Sequence, residues 1–263
     1  MQKQIILNLV SGYPCKRMRI WLSYFYTLIL LILLNVSCND ANAPDCFKKT
    51  GEYTEQEFML DSFHTVVVLD EADVYLANGV EQLVEIRSGK NLIPDIHLEV
   101  KDSVLTIRNE NSCNWRRMPG NPGIYINSNR LRRIEIYDYA NFYTMDTLSL
   151  SRLTVFSDGT GNFDMAIDMD SLYVKSIYIS NFRFSGSVEV LEVTFEDDSR
   201  FDGAELTSDF NKINHFGSNL IEIFPLKELV GELGSTGDLC YHHEPEYIDV
   251  KIDHTGRLIK CSE

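Results

Sequence analysis

A repeat of nineteen residues constrains this chain more than any other feature. Large apolar residues recur at that spacing six times, at Leu153, Leu172, Leu191, Phe210, Leu229 and Ile248. Eight residues after each comes a small residue, the set Gly161, Ser180, Ser199, Ser218, Gly237 and Gly256. Two positions later comes a second apolar set, Phe163, Phe182, Phe201, Leu220, Leu239 and Leu258. Apolar sets that recur at a fixed period of about 20 residues indicate stacked coils.

Stacked coils of β-strands pair each strand in parallel with the equivalent strand one coil away, about 4.8 Å along the axis. The two apolar sets then fill the interior from opposite walls. Parallel crossovers are right-handed in nearly all proteins. We therefore predict an all-β fold, a right-handed parallel β-helix (β-solenoid) with coils of about 19 residues, over residues 50–263.

The stretch "GSTGD" at 234–238 looks at first like a phosphate-binding loop. Related stretches recur as "SDGTGN" at 157–162 and "DHTGR" at 253–257, and no helix follows any of them. A phosphate loop occurs once, between a strand and a helix. The pattern therefore predicts the corners of successive coils, where we expect glycine to supply a positive φ.

Upstream of residue 145 the repeat is looser. "DEADVYL" at 70–76 and "DYANFYT" at 138–144 resemble the same corner, with Val74 and Phe142 turned inward. The sequence between them predicts longer strands joined by "SGKN" and "KD" turns. It forms either wider coils or an antiparallel cap, which would protect the open sheet edge at the end of a solenoid.

The N-terminus has the pattern of an export signal. Basic residues precede an uncharged apolar run that ends in "LLNVSC", so we predict a signal peptide over residues 1–37, whichever of Met1 and Met18 begins translation. The run resembles a bacterial lipobox, which would place a lipid on Cys38. The alternative is an ordinary secretory signal that is cleaved nearby. Residues 38–49 then form a polar, flexible tether.

The chain is strongly acidic. Its formal charge is −15, and removal of the leader, with four basic residues and no acid, would bring it to about −19. Nucleic acids require clustered Lys and Arg to neutralise phosphates, so this charge excludes them as partners. It also argues against docking on anionic lipid by charge alone.

Four cysteines remain beyond the leader and the lipobox: Cys46, Cys113, Cys240 and Cys261. An even number in an exported chain favours disulfides. Three pairings are possible, and the sequence alone does not choose among them. The chain has no C-x-x-C pair, which would indicate a redox motif or a thiolate zinc site.

The stretches "DCFKKTGE", "DVYLANGVEQLVEI", "LEVKDSVLTIRNENSCNW", "SDGTGN" and "GSTGDLCY" occur in an order that resembles the head GIN domain family of auto-transporter adhesins, found in lipoproteins of Bacteroidetes. The resemblance covers about residues 45–245. It implies a β-solenoid of the cell envelope, anchored in the outer membrane, with an adhesin or binding role and no established catalytic residues. The middle coils depart from it, with "IYISNF" and "EDDSRF" in place of glycine-rich corners.

The same resemblance implies a Cys46–Cys113 disulfide, which leaves Cys240 and Cys261 as the second pair. Strict stacking places Cys240 beside Ile259, so the Cα atoms of Cys240 and Cys261 would be about 8 Å apart. A disulfide requires less than about 7 Å, so this pair requires a bend at the chain end.

Asp164, Arg183 and Asp202 fall at one position of three successive coils. Two carboxylates about 9.6 Å apart match an inverting glycosidase, and other parallel β-helices hydrolyse or cleave polysaccharides. The alternative is a solvent-facing ladder of alternating charge. The chain has no long loop to close over a substrate, so we predict no catalytic residues.

Other candidate sites are weaker. His242 and His243 in "HHE" point to opposite faces of an extended strand, and "EDDS" at 196–199 lacks the repeated acidic spacing of calcium-binding solenoids. We predict no metal and no cofactor. Exposed tyrosines that would suit sugar rings are Tyr137, Tyr139, Tyr173 and Tyr178.

These observations predict a non-catalytic, membrane-anchored binding protein whose ligand is a glycan or a protein. A polysaccharide-active enzyme and a self-assembling structural protein remain the alternatives.

Overall fold

The computed structural model describes residues 24–27, 29, 48–112 and 120–261. Within these ranges almost every element is a strand, and no helix is long and apolar enough to cross a membrane. Cys38, Cys46, Cys113 and the predicted leader cleavage site lie outside the described residues.

Seventeen strands follow one another along the described part of the chain. The first nine are β1 (Tyr53–Phe58), β2 (Thr65–Val68), β3 (Ala72–Ala77), β4 (Leu83–Gly89), β5 (Ile96–Lys101), β6 (Val104–Asn109), β7 (Gly123–Asn127), β8 (Arg133–Ile136) and β9 (Tyr139–Thr144). The others are β10 (Leu148–Ser157), β11 (Thr160–Ser176), β12 (Ser180–Phe195), β13 (Arg200–His215), β14 (Ile221–Leu233), β15 (Leu239–Tyr241), β16 (Tyr247–Ile252) and β17 (Leu258–Lys260). A short 3₁₀ helix, Ile93–Asp95, precedes β5.

The strands form a β-solenoid of about seven turns with a spacing of about 19 residues between coils, which confirms the predicted fold class. The first wall runs β5-β6-β2-β8-β10-β11-β12-β13-β14-β16. The second wall runs β1-β4-β7-β3-β9-β11-β12-β13-β14-β15-β17. The long strands β11 to β14 bend and contribute to both walls. The stretches predicted as corners at 157–162 and 234–238 contain the turns from β10 to β11 and from β14 to β15.

The N-terminal end is closed by antiparallel strands, which settles the choice between wider coils and a cap. Strand β4 pairs antiparallel with β7, and β1 with β4, while β5 pairs antiparallel with β6. The "KD" turn between β5 and β6 has positive φ at Asp102 (51°) and Ser103 (64°), as a two-residue type I′ hairpin requires.

The order of coils at this end differs from the order of the chain. Strands β2 and β3 lie between the β6–β7 coil and the β8–β9 coil. The chain first forms the coil of β2 and β3, then the cap strands β4 and β5 and the outermost coil of β6 and β7. The coil of β8 and β9 follows on the opposite side of β2 and β3. Both edges of β2 and β3 are therefore paired.

The interior is filled as the repeat predicts. On the second wall Val74, Phe142, Phe163, Phe182 and Phe201 stack in register, and each is at most 1% exposed. Burial of each such side chain stabilises the fold by about 1.5–3 kcal/mol. Leu153, Leu172 and Leu191 form the matching stack on the first wall.

The predicted register is wrong in one coil. The pairing of β12 with β13 shifts by one residue between Arg183 and Ser185. An extra residue in a strand moves every following side chain to the opposite face. Asn211 therefore occupies the inward position between Leu191 and Leu229, and Phe210 is 39% exposed.

The same shift changes the next corner. Ile221 stacks on Phe201, whereas Leu220, the residue predicted for this position, is only half-buried. Ser218, the small residue of the predicted corner, is exposed. The count of nineteen residues holds again from Leu239 to Leu258.

Glycine is required at the corners for a different reason from the one predicted. The corner residues Gly161 and Gly237 do not have positive φ. A Cβ at Gly161 would lie 2.1 Å from the carbonyl oxygen of Ala140 in the neighbouring coil. The small side chain is therefore needed because backbones of stacked coils approach each other closely there.

Candidate functional site

The second wall presents one continuous outward column of polar and aromatic side chains. From the cap its residues are Tyr125, Tyr75, Tyr143, Asp164, Arg183, Asp202 and Glu222, each paired in register with the next. Each follows an inward apolar residue of the same strand, because side chains alternate between the faces. The stacked core phenylalanines thus place this column: ring centroids are 5.2 Å apart for Phe142 and Phe163, and 4.8 Å for Phe163 and Phe182.

Three tyrosines form the part of the column nearest the cap. The ring centroid of Tyr75 lies 4.6 Å from that of Tyr125 and 5.2 Å from that of Tyr143, and both pairs are stacked. The guanidinium of Arg87 covers the Tyr125 ring at 3.9 Å. Partial burial raises the pKa of both Tyr75 and Tyr143, so these phenols stay protonated at neutral pH. Tyr143 stacks on Tyr75, and Asp164 is its register partner on the neighbouring strand.

An asparagine ladder runs beside this column. The amide of Asn181 donates to Asn162 Oδ1 at 3.1 Å, Asn162 donates to Asn141 Oδ1 at 2.8 Å, and Asn141 donates to Asp73 Oδ1 at 2.7 Å. Each amide is oriented by the next, and the carboxylate of Asp73 accepts the last bond. The exposed amides of Asn162 and Asn181 are therefore held in fixed orientations.

Four charged side chains, Asp164, Arg183, Asp202 and Glu222, continue the column. Arg183 Nε donates to Asp202 Oδ2 at 3.3 Å, and Arg200 Nη2 donates to Glu222 Oε2 at 3.0 Å. Tyr143, Asn162, Asp164, Asn181 and Arg183 line a groove of about 530 Å³, together with Arg200 and Asp202. The groove offers an aromatic face, oriented amides and paired charges to one ligand.

The structure brings together the three charged residues that the sequence singled out. Asp164 pairs with Arg183 and Arg183 with Asp202 on successive strands. The side chain of Arg183 is 67% exposed. The arrangement is a solvent-facing ladder in which Arg183 occupies the strand position between the two aspartates and bonds to Asp202.

The four tyrosines proposed from the sequence lie outside this groove lining. Tyr137 donates to Glu135 Oε2 at 2.8 Å, which raises the pKa of its phenol, and the Tyr139 hydroxyl accepts from Asn141 Nδ2 at 3.2 Å. Tyr173 is on the first wall and Tyr178 at a corner.

The stacked tyrosines Tyr75, Tyr125 and Tyr143 were not among the residues predicted from the sequence to form a binding surface. A common pattern was present, because "VY", "IY" and "FY" at 74–75, 124–125 and 142–143 each have an inward apolar residue followed by Tyr.

The acidic corner "EDDS" has a structural role. Asp198 Oδ1 accepts hydrogen bonds from the Ser218 hydroxyl at 2.6 Å and from its backbone N–H at 2.8 Å. These bonds lower the pKa of the Asp198 carboxyl. Asp198 thus holds the corner of the next coil.

The adjacent histidines of "HHE" take different partners. His243 donates from Nδ1 to the Pro225 carbonyl at 3.0 Å and stacks on Phe224. His242 Nε2 lies 3.5 Å from Glu222 Oε1. The two rings therefore do not converge on one point, in agreement with strand alternation.

Cys240 and Cys261 are joined by a disulfide, with 5.5 Å between their Cα atoms. The expected separation of about 8 Å is wrong, although Cys240 does pair with Ile259. Strand β17 ends at Lys260, and the backbone N–H of Cys261 bonds to the Tyr241 carbonyl at 3.0 Å. The chain therefore turns toward Cys240 just past the strand end.

Comparisons with known proteins give the family and the fold. A family model described as "Putative auto-transporter adhesin, head GIN domain" matches residues 62–245. No curated protein matches the chain.

Several crystal structures are similar. A putative adhesin from Bacteroides fragilis has 15% sequence identity and a TM-score of 0.72, with 80% of this chain and 97% of that chain covered. A putative lipid binding protein from Parabacteroides distasonis has 14% identity and a TM-score of 0.57, with coverage of 81% and 98%. A putative adhesin from Parabacteroides merdae has the same four values. At these identities the similarity shows a shared solenoid fold. Together with the family match over 62–245, it establishes that the chain belongs to the head GIN domain family of putative auto-transporter adhesins.

Proposed function

We propose that this chain is an exported, lipid-anchored, non-catalytic binding protein of the cell envelope, and that the groove on its second wall binds a glycan. The membership in an adhesin family and the names of the similar structures, adhesin and lipid binding protein, support a ligand-binding role. The anchor rests on the lipobox-like "LLNVSC" and on the tether that follows it. An outer-membrane location follows from the same features.

The observation that carries the glycan proposal is the combination of groups in the groove. The C–H face of a pyranose packs on an aromatic ring, and its hydroxyls both donate and accept hydrogen bonds. Tyr143 supplies a ring face, while Asn162 and Asn181 supply oriented amides with both donor and acceptor atoms. Asp164 and Arg183 add an acceptor and a donor to the groove lining. An apolar surface with a few oriented polar groups is the usual composition of a small-molecule site.

The arrangement of charges supports binding without catalysis. The acid of an inverting glycosidase is kept protonated in apolar surroundings, whereas Asp164 is exposed and Asp202 accepts a bond from a guanidinium. Arg183 is exposed and pairs with Asp202, so neither carboxylate is enclosed in apolar surroundings.

The test is a polysaccharide array with the purified chain, which includes pectins, glycosaminoglycans and peptidoglycan and is read for bound protein and for cleavage products. We expect binding without new reducing ends or unsaturated products. Tyr143→Ala is expected to weaken binding at least about tenfold, which corresponds to about 1.4 kcal/mol. Tyr173→Ala, a tyrosine on the first wall, is the matched control and should leave binding unchanged.

Three results would contradict the proposal in different ways. Turnover that disappears in both Asp164→Asn and Asp202→Asn would establish the enzyme alternative. Glycan binding that is equal in Tyr143→Ala and wild type would place the ligand elsewhere. An array without any bound glycan would favour a protein ligand.

A further inference from the structure

Coil stacking brings His242 close to residues that are one coil away on either side. Glu222 precedes it by 20 residues and Cys261 follows it by 19. A carboxylate oxygen of Glu222, a ring nitrogen of His242 and the Sγ of Cys261 all lie within 4.8 Å of one another. Carboxylate, imidazole and thiolate are the three side-chain types that bind zinc.

The Nε2 atom of the His242 ring is buried, and His242 lies between Glu222 and Cys261 in sequence. This nitrogen is shielded from solvent, and among the described residues it has no hydrogen-bond partner. It lies 3.5 Å from Glu222 Oε1. A buried polar atom without a partner is costly, and a metal ion in this position would satisfy it.

Glu222 is already oriented toward this point. Its other oxygen, Oε2, accepts a hydrogen bond from Arg200 Nη2 at 3.0 Å. Such a bond from outside the donor set fixes the direction of a metal-binding carboxylate. The Arg200 contact therefore leaves Oε1 directed at His242.

Cys240 supplies a fourth donor when its bond to Cys261 is open. In a tetrahedral zinc site with Zn–S bonds of about 2.3 Å, two sulfurs lie about 3.8 Å apart. A Cα separation of 5.5 Å leaves room for this with side-chain rotation. Two thiolates, one carboxylate, the zinc ion and Arg200 have formal charges that sum to zero, which favours a half-buried site.

We propose that Cys240, Cys261, His242 and Glu222 form a zinc site that is available only when the Cys240–Cys261 disulfide is reduced. A dithiol donates two electrons and two protons to the disulfide and is itself oxidised to a disulfide. The two thiols released on the protein lose their protons as Zn²⁺ binds both sulfurs. In the oxidised chain the disulfide links Cys240 to Cys261 in the last coil of the solenoid, and in the reduced chain a zinc ion would link the same two residues.

The test uses the full chain with the other cysteines replaced: Cys15→Ser, Cys38→Ser, Cys46→Ser and Cys113→Ser. The protein is reduced with a dithiol, freed of it by anaerobic gel filtration and titrated with Zn²⁺ or Co²⁺. We expect one ion per chain in the reduced form and none in the oxidised form. Bound Co²⁺ should show the near-ultraviolet charge-transfer band of cobalt thiolate.

Glu222→Gln and His242→Gln are expected to weaken zinc binding at least about tenfold. His243→Gln is the matched control and should bind as the parent chain does. Zinc should also shift the disulfide–dithiol equilibrium toward the dithiol, and at equal zinc concentration the shift should be smaller in His242→Gln than in the parent chain. Circular dichroism checks that the reduced chains keep their strands.

Reduced protein that binds no zinc beyond a Cys240→Ser, Cys261→Ser control would overturn the proposal. If His242→Gln and Glu222→Gln bind zinc as strongly as the parent chain does, the proposal is overturned too. Zinc would then be bound by the two thiols alone, as in an unfolded chain end.

Discussion

At the scale of single residues, His215 shows how a solenoid interior accommodates a titratable group. It is 1% exposed between Phe195 and Leu233 of the neighbouring coils. Its Nε2 donates to the Asn219 carbonyl at 2.6 Å, and its Nδ1 accepts from the Gly217 N–H at 3.4 Å. Burial lowers the pKa of His215, so the ring is neutral in the folded protein.

This burial predicts acid sensitivity. In the unfolded chain the imidazole binds a proton below about pH 6.5, whereas the folded ring does so only at lower pH. Folding stability is therefore highest above about pH 6.5. It falls as the pH drops from there to the lowered folded pKa, by at most about 1.4 kcal/mol per pH unit. Urea unfolding of wild type and His215→Leu between pH 8 and pH 5.5 should show a flatter profile in the variant.

The exposed His64 provides the control. His64→Gln should keep the wild-type pH profile. A profile in His215→Leu as steep as that of wild type would show that another group carries the dependence.

Phe182 and Asn181 are adjacent but are expected to differ in their effect on stability. Phe182 stacks between Phe163 and Phe195, while the exposed Asn181 makes one amide bond in the ladder. Phe182→Ala should cost about 3–5 kcal/mol, and Asn181→Ala about 0.5–1.5 kcal/mol. Thermal unfolding that ranks Asn181→Ala as the worse change would show the register of this coil to be wrong.

At the scale of elements, the shift between β12 and β13 makes a polar residue part of the core. Asn211 accepts a hydrogen bond from the Ser208 hydroxyl, and its amide donates to the Glu228 carbonyl at 3.1 Å. The Asn211 amide thus provides a donor for the Glu228 carbonyl of the neighbouring coil. The residues paired with Asn211 on the two adjacent coils are leucines, Leu191 and Leu229.

A pair of substitutions tests this register. Asn211→Ala leaves the Glu228 carbonyl without this donor and should cost about 1–3 kcal/mol. Phe210→Ala removes a partly exposed ring and should cost less. Chemical unfolding measures both, and the opposite order is expected if Phe210 faces inward as the nineteen-residue count alone implies.

Serines at the corners are a second feature of the elements. Ser157, Ser176, Ser180 and Ser199 are all at most 1% exposed. The hydroxyls of Ser157 and Ser180 lie 2.7 Å apart, and the Ser199 hydroxyl donates to Ser176 at 2.8 Å. The small residues of the repeat therefore form an internal hydrogen-bond network in addition to leaving room for the turn.

At the scale of the whole molecule, lipidation of Cys38 is the prediction on which the location depends. Cells that express the chain and are fed a fatty-acid probe should label wild type and Cys15→Ala, whose change lies in the predicted leader. Cys38→Ala should lose the label. Label that persists in Cys38→Ala would show that the lipid is attached at another residue.

The Cys46–Cys113 disulfide stays a prediction from family resemblance, since both residues lie outside the described ranges. Peptide mapping without reduction should find it together with the Cys240–Cys261 pair. A bridge from Cys46 to Cys240 or from Cys113 to Cys261 would link the N-terminal part to the last coil and contradict the solenoid.

The sequence by itself determined the class of fold, because a period of nineteen with two apolar sets can only be buried by stacking. It also located the corners and the outward Asp164–Arg183–Asp202 column, since strand alternation assigns faces once the inward residues are known. Only the tertiary structure decided the insertion of β2 and β3 between later coils and the one-residue shift at Ser185. Pairing between strands that are distant in the chain is not encoded in local spacing. The tyrosine stack depends on such neighbours, and for that reason the repeat alone did not reveal it.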